Sequence, residues 1–136
     1  MKNNRPYLLA IILMILMSVG KCIAQEPHAG VFEMIKAHNI KHPEIVYHQA
    51  LLESGNFNPN LNSSWVHYNN PFGFRLSSQI TSTNSKGYIT FDNLEHAVEY
   101  YKSYQDKYYT GGDYYQFLIN MGYAQSPNYI TNLKQF

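Results

Sequence analysis

One stretch constrains this chain more than any other: Pro43 to Gly55, PEIVYHQALLESG, a helix-like run with a breaker at each end. Proline suits a first helical position and glycine suits a helix stop, so both ends of the helix are set locally. Near its end stands Glu53, which on helical spacing shares a face with Val46, Gln49 and Ala50. The negative end of the helix dipole and apolar neighbours both disfavour a carboxylate. The pKa of Glu53 is therefore expected to be raised, which is what a general acid working near neutral pH requires. The plain alternative is a solvated glutamate at a fraying helix end.

The chain begins as an export signal. Lys2 and Arg5 precede an apolar run from Leu8 to Met17, and Cys22-Ile23-Ala24 offers a cleavage site before Gln25. The apolar run is shorter than the roughly 20 residues of a membrane-spanning helix. Residues 1–24 are read as a signal peptide and 25–136 as one domain. Contact with a membrane is expected only through that segment before cleavage. A lipoprotein reading of Cys22 is disfavoured by Lys21 in front of it. Cleavage removes Lys2, Arg5 and Lys21 and no acid, so the formal charge falls from +1 to −2. A near-neutral domain lacks the basic face of a nucleic-acid binder. The only cysteine leaves with the signal, so neither disulfides nor thiol chemistry are expected in the domain.

Thirteen tyrosines supply flat apolar rings with polar tips, suited to half-buried positions and to sugar grooves. Val31, Met34, Ile35 and His38 recur at helical spacing. Asn56 to Asn70 reads as a loop or a broken helix. Phe72–Leu76 and Gly87–Phe91 read as two arms of a small hairpin. Asp92, with Glu95 three residues on, resembles a capping box for a helix with Leu94, Ala97, Val98, Tyr101 and Tyr104 inward. Asp113 can cap a further helix that turns Phe117, Leu118 and Met121 inward and stops at Gly122. Ser126-Pro127 opens a last helix carrying Tyr129, Leu133 and Phe136. The expected class is mainly α (α+β): a helical domain with one small β-hairpin flanking a cleft.

Other chemistries find little support. Six histidines form no HExxH motif or Cys/His cluster, so no metal site is expected. Ser54-Gly55 lacks the GxSxG elbow, and no glycine-rich phosphate loop or other cofactor motif appears.

Gln49-Ala50-Leu51-Leu52-Glu53-Ser54-Gly55 and Asn69-Asn70-Pro71-Phe72-Gly73-Phe74 resemble the glucosaminidase family of cell-wall hydrolases. Its pattern runs AxxESG, NNLFG, an aromatic strand, a helix and a terminal DPxYA segment. Phe91–Val98 is similar to the strand-to-helix step, and Gly122–Ile130 to the terminal segment. The similarity covers about residues 29 to 136. The short, tyrosine-rich form looks like small secreted members from Bacteroidetes-type bacteria. The resemblance implies a lysozyme-like fold and cleavage of the β-1,4 bond after N-acetylglucosamine in peptidoglycan. It makes Glu53 the general acid and places Tyr129 near it as a catalytic partner. It puts Asn70 and Phe72 on the cleft floor and Tyr123 among the substrate-binding residues. Plain turn chemistry for Asn69 and Asn70, and ordinary packing for Tyr129 and Tyr123, stand beside those roles.

One departure matters. Many relatives carry a second acid on the hairpin, whereas Arg75 to Phe91 here holds no Asp or Glu. Asp92 is the nearest candidate for a second carboxylate. Otherwise the substrate's own acetamido oxygen serves as nucleophile, or a water held by Tyr129 and Asn70 attacks. The expectation is a monomeric, periplasmic or secreted endo-β-N-acetylglucosaminidase acting on peptidoglycan glycan strands. Two alternatives stay open. Glu53-Ser54 followed by Phe57-Asn58-Pro59 faintly echoes lytic transglycosylases, and the missing acid would also suit a domain that binds glycan without cutting it.

Overall fold

The computed structural model describes residues 28–62, 64–75, 87–123 and 125–136. The expected export segment and the tip of the expected hairpin lie outside them. Among the described residues the elements are α1 (Ala29–Ala37), α2 (Pro43–Ser54), α3 (Ser64–Tyr68), α4 (Leu94–Tyr108), α5 (Tyr114–Asn120) and α6 (Tyr129–Leu133). The domain is mainly helical, as its periodicity predicts. None of these helices is long and apolar enough to cross a membrane.

The bounds of α2 follow from its two breakers. Pro43 occupies the first turn, and Gly55, at φ +63, closes the helix with its N–H on the carbonyls of Leu51 and Leu52. α4 begins one residue later than the capping-box reading proposed. Its cap is Asn93, whose side chain accepts from the His96 amide at 2.9 Å, and not Asp92. Asp113 caps α5 through the amides of Tyr115 and Gln116. α6 is preceded by Asn128, two residues beyond the expected Ser126-Pro127 start, and Phe136 is exposed while Tyr129 and Leu133 are buried.

α1 packs on α2 and α4, and α6 packs on α2. Ile35, Val46, Val98, Leu118 and Leu133 are fully buried among the helices. Each such side chain contributes about 1.5–3 kcal/mol of burial. Among the described residues the two arms of the hairpin meet in antiparallel fashion through the bridge Arg75–Tyr88 and the Ile89 amide on the Phe74 carbonyl at 3.0 Å. Side chains do much of the joining. Asn70 donates to the carbonyls of Phe74 (2.8 Å) and Ile89 (2.9 Å) and accepts from the Phe74 amide at 3.0 Å. Asn69 donates to the carbonyls of Phe91 (2.9 Å) and Asp92 (3.2 Å). The NNPFG turn is thereby tied to both arms and to the entry of α4.

Candidate active site

Glu53 stands in the last turn of α2, partly buried, over the backbone of Gly73. A Cβ built on Gly73 would lie 2.8 Å from Glu53 Oε2, and Gly73 has φ +68. Both facts require glycine there: the carboxyl sits directly on the first arm of the hairpin. Burial raises the Glu53 pKa. A hydrogen bond from the Tyr129 hydroxyl and the positive charge of Arg75 oppose that rise without cancelling it. The same burial, with the Glu53 charge beside it, pushes the Tyr129 hydroxyl far above its usual range, so it remains a donor.

Two recesses meet at Glu53 and Gly73. The larger, about 370 Å³, is lined also by Phe74, Arg75, Tyr104, Met121, Tyr123 and Gln125. The smaller, about 60 Å³, is lined by Asn62, Trp65, Tyr68, Asn70 and Tyr88 as well. Among the described residues Glu53 is the one carboxylate lining either recess. Each recess also holds a buried donor that finds no acceptor among the described residues: the Tyr123 hydroxyl in the larger and the Trp65 indole N–H in the smaller. Buried polar groups are nearly always paired, so two orphans flanking one acid mark places for ligand acceptors.

The remaining residues that the sequence pointed to fall differently. Tyr129 is buried, with its hydroxyl close enough to act on the Glu53 carboxyl as a donor. Tyr123 lines the groove with its ring half-buried. Asn70 reaches the smaller recess, but both N–H groups of its amide are committed to backbone carbonyls. Phe72 does not form the cleft floor: it is fully buried, and its ring packs 4.7 Å from that of Tyr101. The apolar ring gains more from the core beneath the turn than from a wet groove. Asp92 does not supply a second carboxylate either. It lines neither recess, its side chain is 89% exposed, and it pairs with His96 on the outer face of α4. Sequence reasoning passed over Trp65, Arg75, Tyr68 and Tyr88. The single tryptophan inside an Asn/Ser-rich stretch was the available signal for the first.

A carboxyl held toward its protonated form by burial thus stands between two recesses of a tyrosine-rich helical domain. The chain belongs to the glucosaminidase family, described as mannosyl-glycoprotein endo-beta-N-acetylglucosaminidase, whose model matches residues 30–136. No curated protein and no solved structure matches it. Membership suggests a peptidoglycan-hydrolase-like function and a glycan of that type as substrate.

Proposed function

We propose that this protein is an exported, monomeric endo-β-N-acetylglucosaminidase that cuts the β-1,4 glycan strands of peptidoglycan with Glu53 as general acid. The observation that carries the reading is the place of Glu53, at the junction of two recesses and held toward its protonated form by burial. A strand crossing that junction puts one sugar on each side of the carboxyl. The orphan donors Tyr123 and Trp65 suit a sugar rich in acceptors, such as the acetamido carbonyl of an N-acetylhexosamine.

Glu53 gives its proton to the glycosidic oxygen as the C1–O bond breaks. Among the described residues no second carboxylate lines either recess, so the acetamido oxygen of the same sugar forms the new bond to C1. Water then attacks C1, the acetamido oxygen leaves, and the proton of that water returns to Glu53. Arg75 at the rim and the Tyr129 hydroxyl stabilise the carboxylate that exists between the two steps.

The lone carboxylate also favours a second reading, a lytic transglycosylase, in which a sugar hydroxyl replaces water. Mass spectrometry of peptidoglycan digested by residues 25–136, with Glu53→Gln alongside, separates them. Reducing-end N-acetylglucosamine, lost in the variant, supports the hydrolase. Anhydro-sugar ends assign the transglycosylase. Sacculi that are bound but uncut by the wild type would leave a binding domain.

A further inference from the structure

Behind Glu53 runs a chain of buried polar side chains that the reaction does not use directly. It starts at a peptide that cannot turn around. The Lys41 amide donates to Gln105 Oε1 at 2.6 Å, and Gln105 Nε2 returns a bond to the Lys41 carbonyl at 2.9 Å. This clasp fixes which end of the Gln105 amide is the donor. Its second N–H goes to the Tyr114 hydroxyl at 2.8 Å. Tyr114 therefore accepts from Gln105 and has its own proton free for the Tyr101 hydroxyl, 2.8 Å away. Tyr101 in turn donates to Gln49 Oε1 at 2.5 Å. That leaves Gln49 Nε2 facing the Tyr129 hydroxyl at 3.5 Å, the longest link. Gln49, Tyr101, Tyr114 and Gln105 are all at most 2% exposed.

Each hydroxyl has one proton and each amide one donor end. A hydroxyl oxygen can accept twice, so the direction follows from pairing every buried proton: among the described residues the Tyr114 proton has only Tyr101 to go to, and the Tyr101 proton is then left for Gln49. Tyr129, already receiving an N–H from Gln49, has its single proton left for Glu53.

We propose that Tyr101 and Gln49 are positioning residues: by holding the Gln49 amide in one orientation they commit the Tyr129 hydroxyl proton to Glu53. Without the Tyr101 hydroxyl the Gln49 amide is free to turn. Its oxygen would then take the Tyr129 proton, and Glu53 would lose its donor. The catalytic meaning rests on Glu53 being the acid of the proposed reaction, whereas the polarity of the chain does not. Among the described residues the other groups facing Glu53 are Tyr123 and Arg75, with Tyr104 on the larger recess and Tyr68 and Tyr88 on the smaller; of these Arg75 alone is charged.

The test is the carboxyl titration of Glu53 by 13C NMR in the wild type, Tyr101→Phe and Tyr114→Phe. Both substitutions remove one buried hydroxyl from the same chain. Only Tyr101→Phe frees the Gln49 amide, because in Tyr114→Phe the Tyr101 proton still has Gln49 as its acceptor. Tyr101→Phe is expected to move the titration upward by about half a pH unit, the worth of one weak hydrogen bond. Tyr114→Phe is expected to leave it in place. An unmoved titration in Tyr101→Phe, or equal movement in both, overturns the proposal. If either variant does not fold, the wild type decides: the Gln49 side-chain amide protons should show nuclear Overhauser contacts to the Tyr129 ring, and contacts to Tyr101 instead would overturn it. None of these readouts needs turnover, so they stand or fall apart from the proposed reaction. If turnover is present, its alkaline limb should move upward with Tyr101→Phe alone.

Discussion

On the helical side of Glu53, from Tyr129 through Gln49, Tyr101 and Tyr114 to Gln105, buried polar atoms are bonded to one another. On the groove side, the Tyr123 hydroxyl and the Trp65 N–H are just as deeply buried and have no acceptor among the described residues. Both sides bury polar groups at a cost that pairing usually offsets. The helical side is satisfied within the chain and so holds a fixed geometry. The groove side is left short of acceptors and so favours whatever brings them. In the proposed reaction one face keeps the acid in place and the other receives the sugar, while the Gly73 backbone lets the carboxyl reach between them.

That contrast can be broken at its centre first. Glu53→Gln should lower turnover on peptidoglycan by about 10²- to 10⁴-fold, the usual worth of a positioned general acid, with the far-UV circular dichroism unchanged. Gly73→Ala comes next. Its Cβ would strike Glu53 Oε2 and its left-handed backbone would be strained. Displacement of the acid by a fraction of an ångström to 1 Å should cost about 10- to 100-fold in kcat, measured by reducing-end release. Asn70→Ala tests whether the turn is held by the amide or only decorated by it. Loss of three bonds, two of them buried, should lower stability by about 2–3 kcal/mol in urea unfolding.

The raised pKa of Glu53 carries a stability prediction of its own. A carboxyl whose folded pKa lies above its unfolded value contributes stability that is fully present below the unfolded pKa. That contribution is lost as pH rises through the folded pKa. Glu53→Gln, which is never charged, should therefore match the wild type in acid and exceed it at neutral and alkaline pH. Urea midpoints across that range check it. The smallest effect is expected from Tyr123→Phe. Removing an orphan hydroxyl should leave the fold unchanged or more stable by about 1 kcal/mol, while binding to sacculi weakens several-fold.

These two sides were unequally legible in the sequence. The helix of Glu53 was readable because its limits are local: Pro43 opens it and Gly55 closes it within one run. The acid's burial followed from its neighbours on that helix. Gln49 and Gln105 were a different matter. Each is a single polar residue at an inward position, and what makes it welcome there lies far along the chain, Tyr101 for one and Lys41 for the other. Periodicity reports that a face is buried; it does not report who answers a buried amide. Phe72 was misread for a similar reason, since its place was decided by Tyr101 across the core and not by the turn that carries it. Asp92 and Asn93 are both competent caps, and only backbone geometry at Asn93 selected the second. Trp65 lay in a stretch whose composition reads as a loop or a broken helix; the short α3 forms there, with the Trp65 ring edge-on to that of Phe57.

The most direct test of the central claim compares two titrations in one protein: the Glu53 carboxyl followed by 13C NMR, and kcat on peptidoglycan as a function of pH. Glu53 acting as the acid predicts that activity falls on the alkaline side at the pH where the carboxyl loses its proton, above the ordinary glutamate range, and that the Glu53→Gln variant lacks that limb. An alkaline limb that ignores the Glu53 titration, or one that persists in Glu53→Gln at comparable turnover, would contradict it.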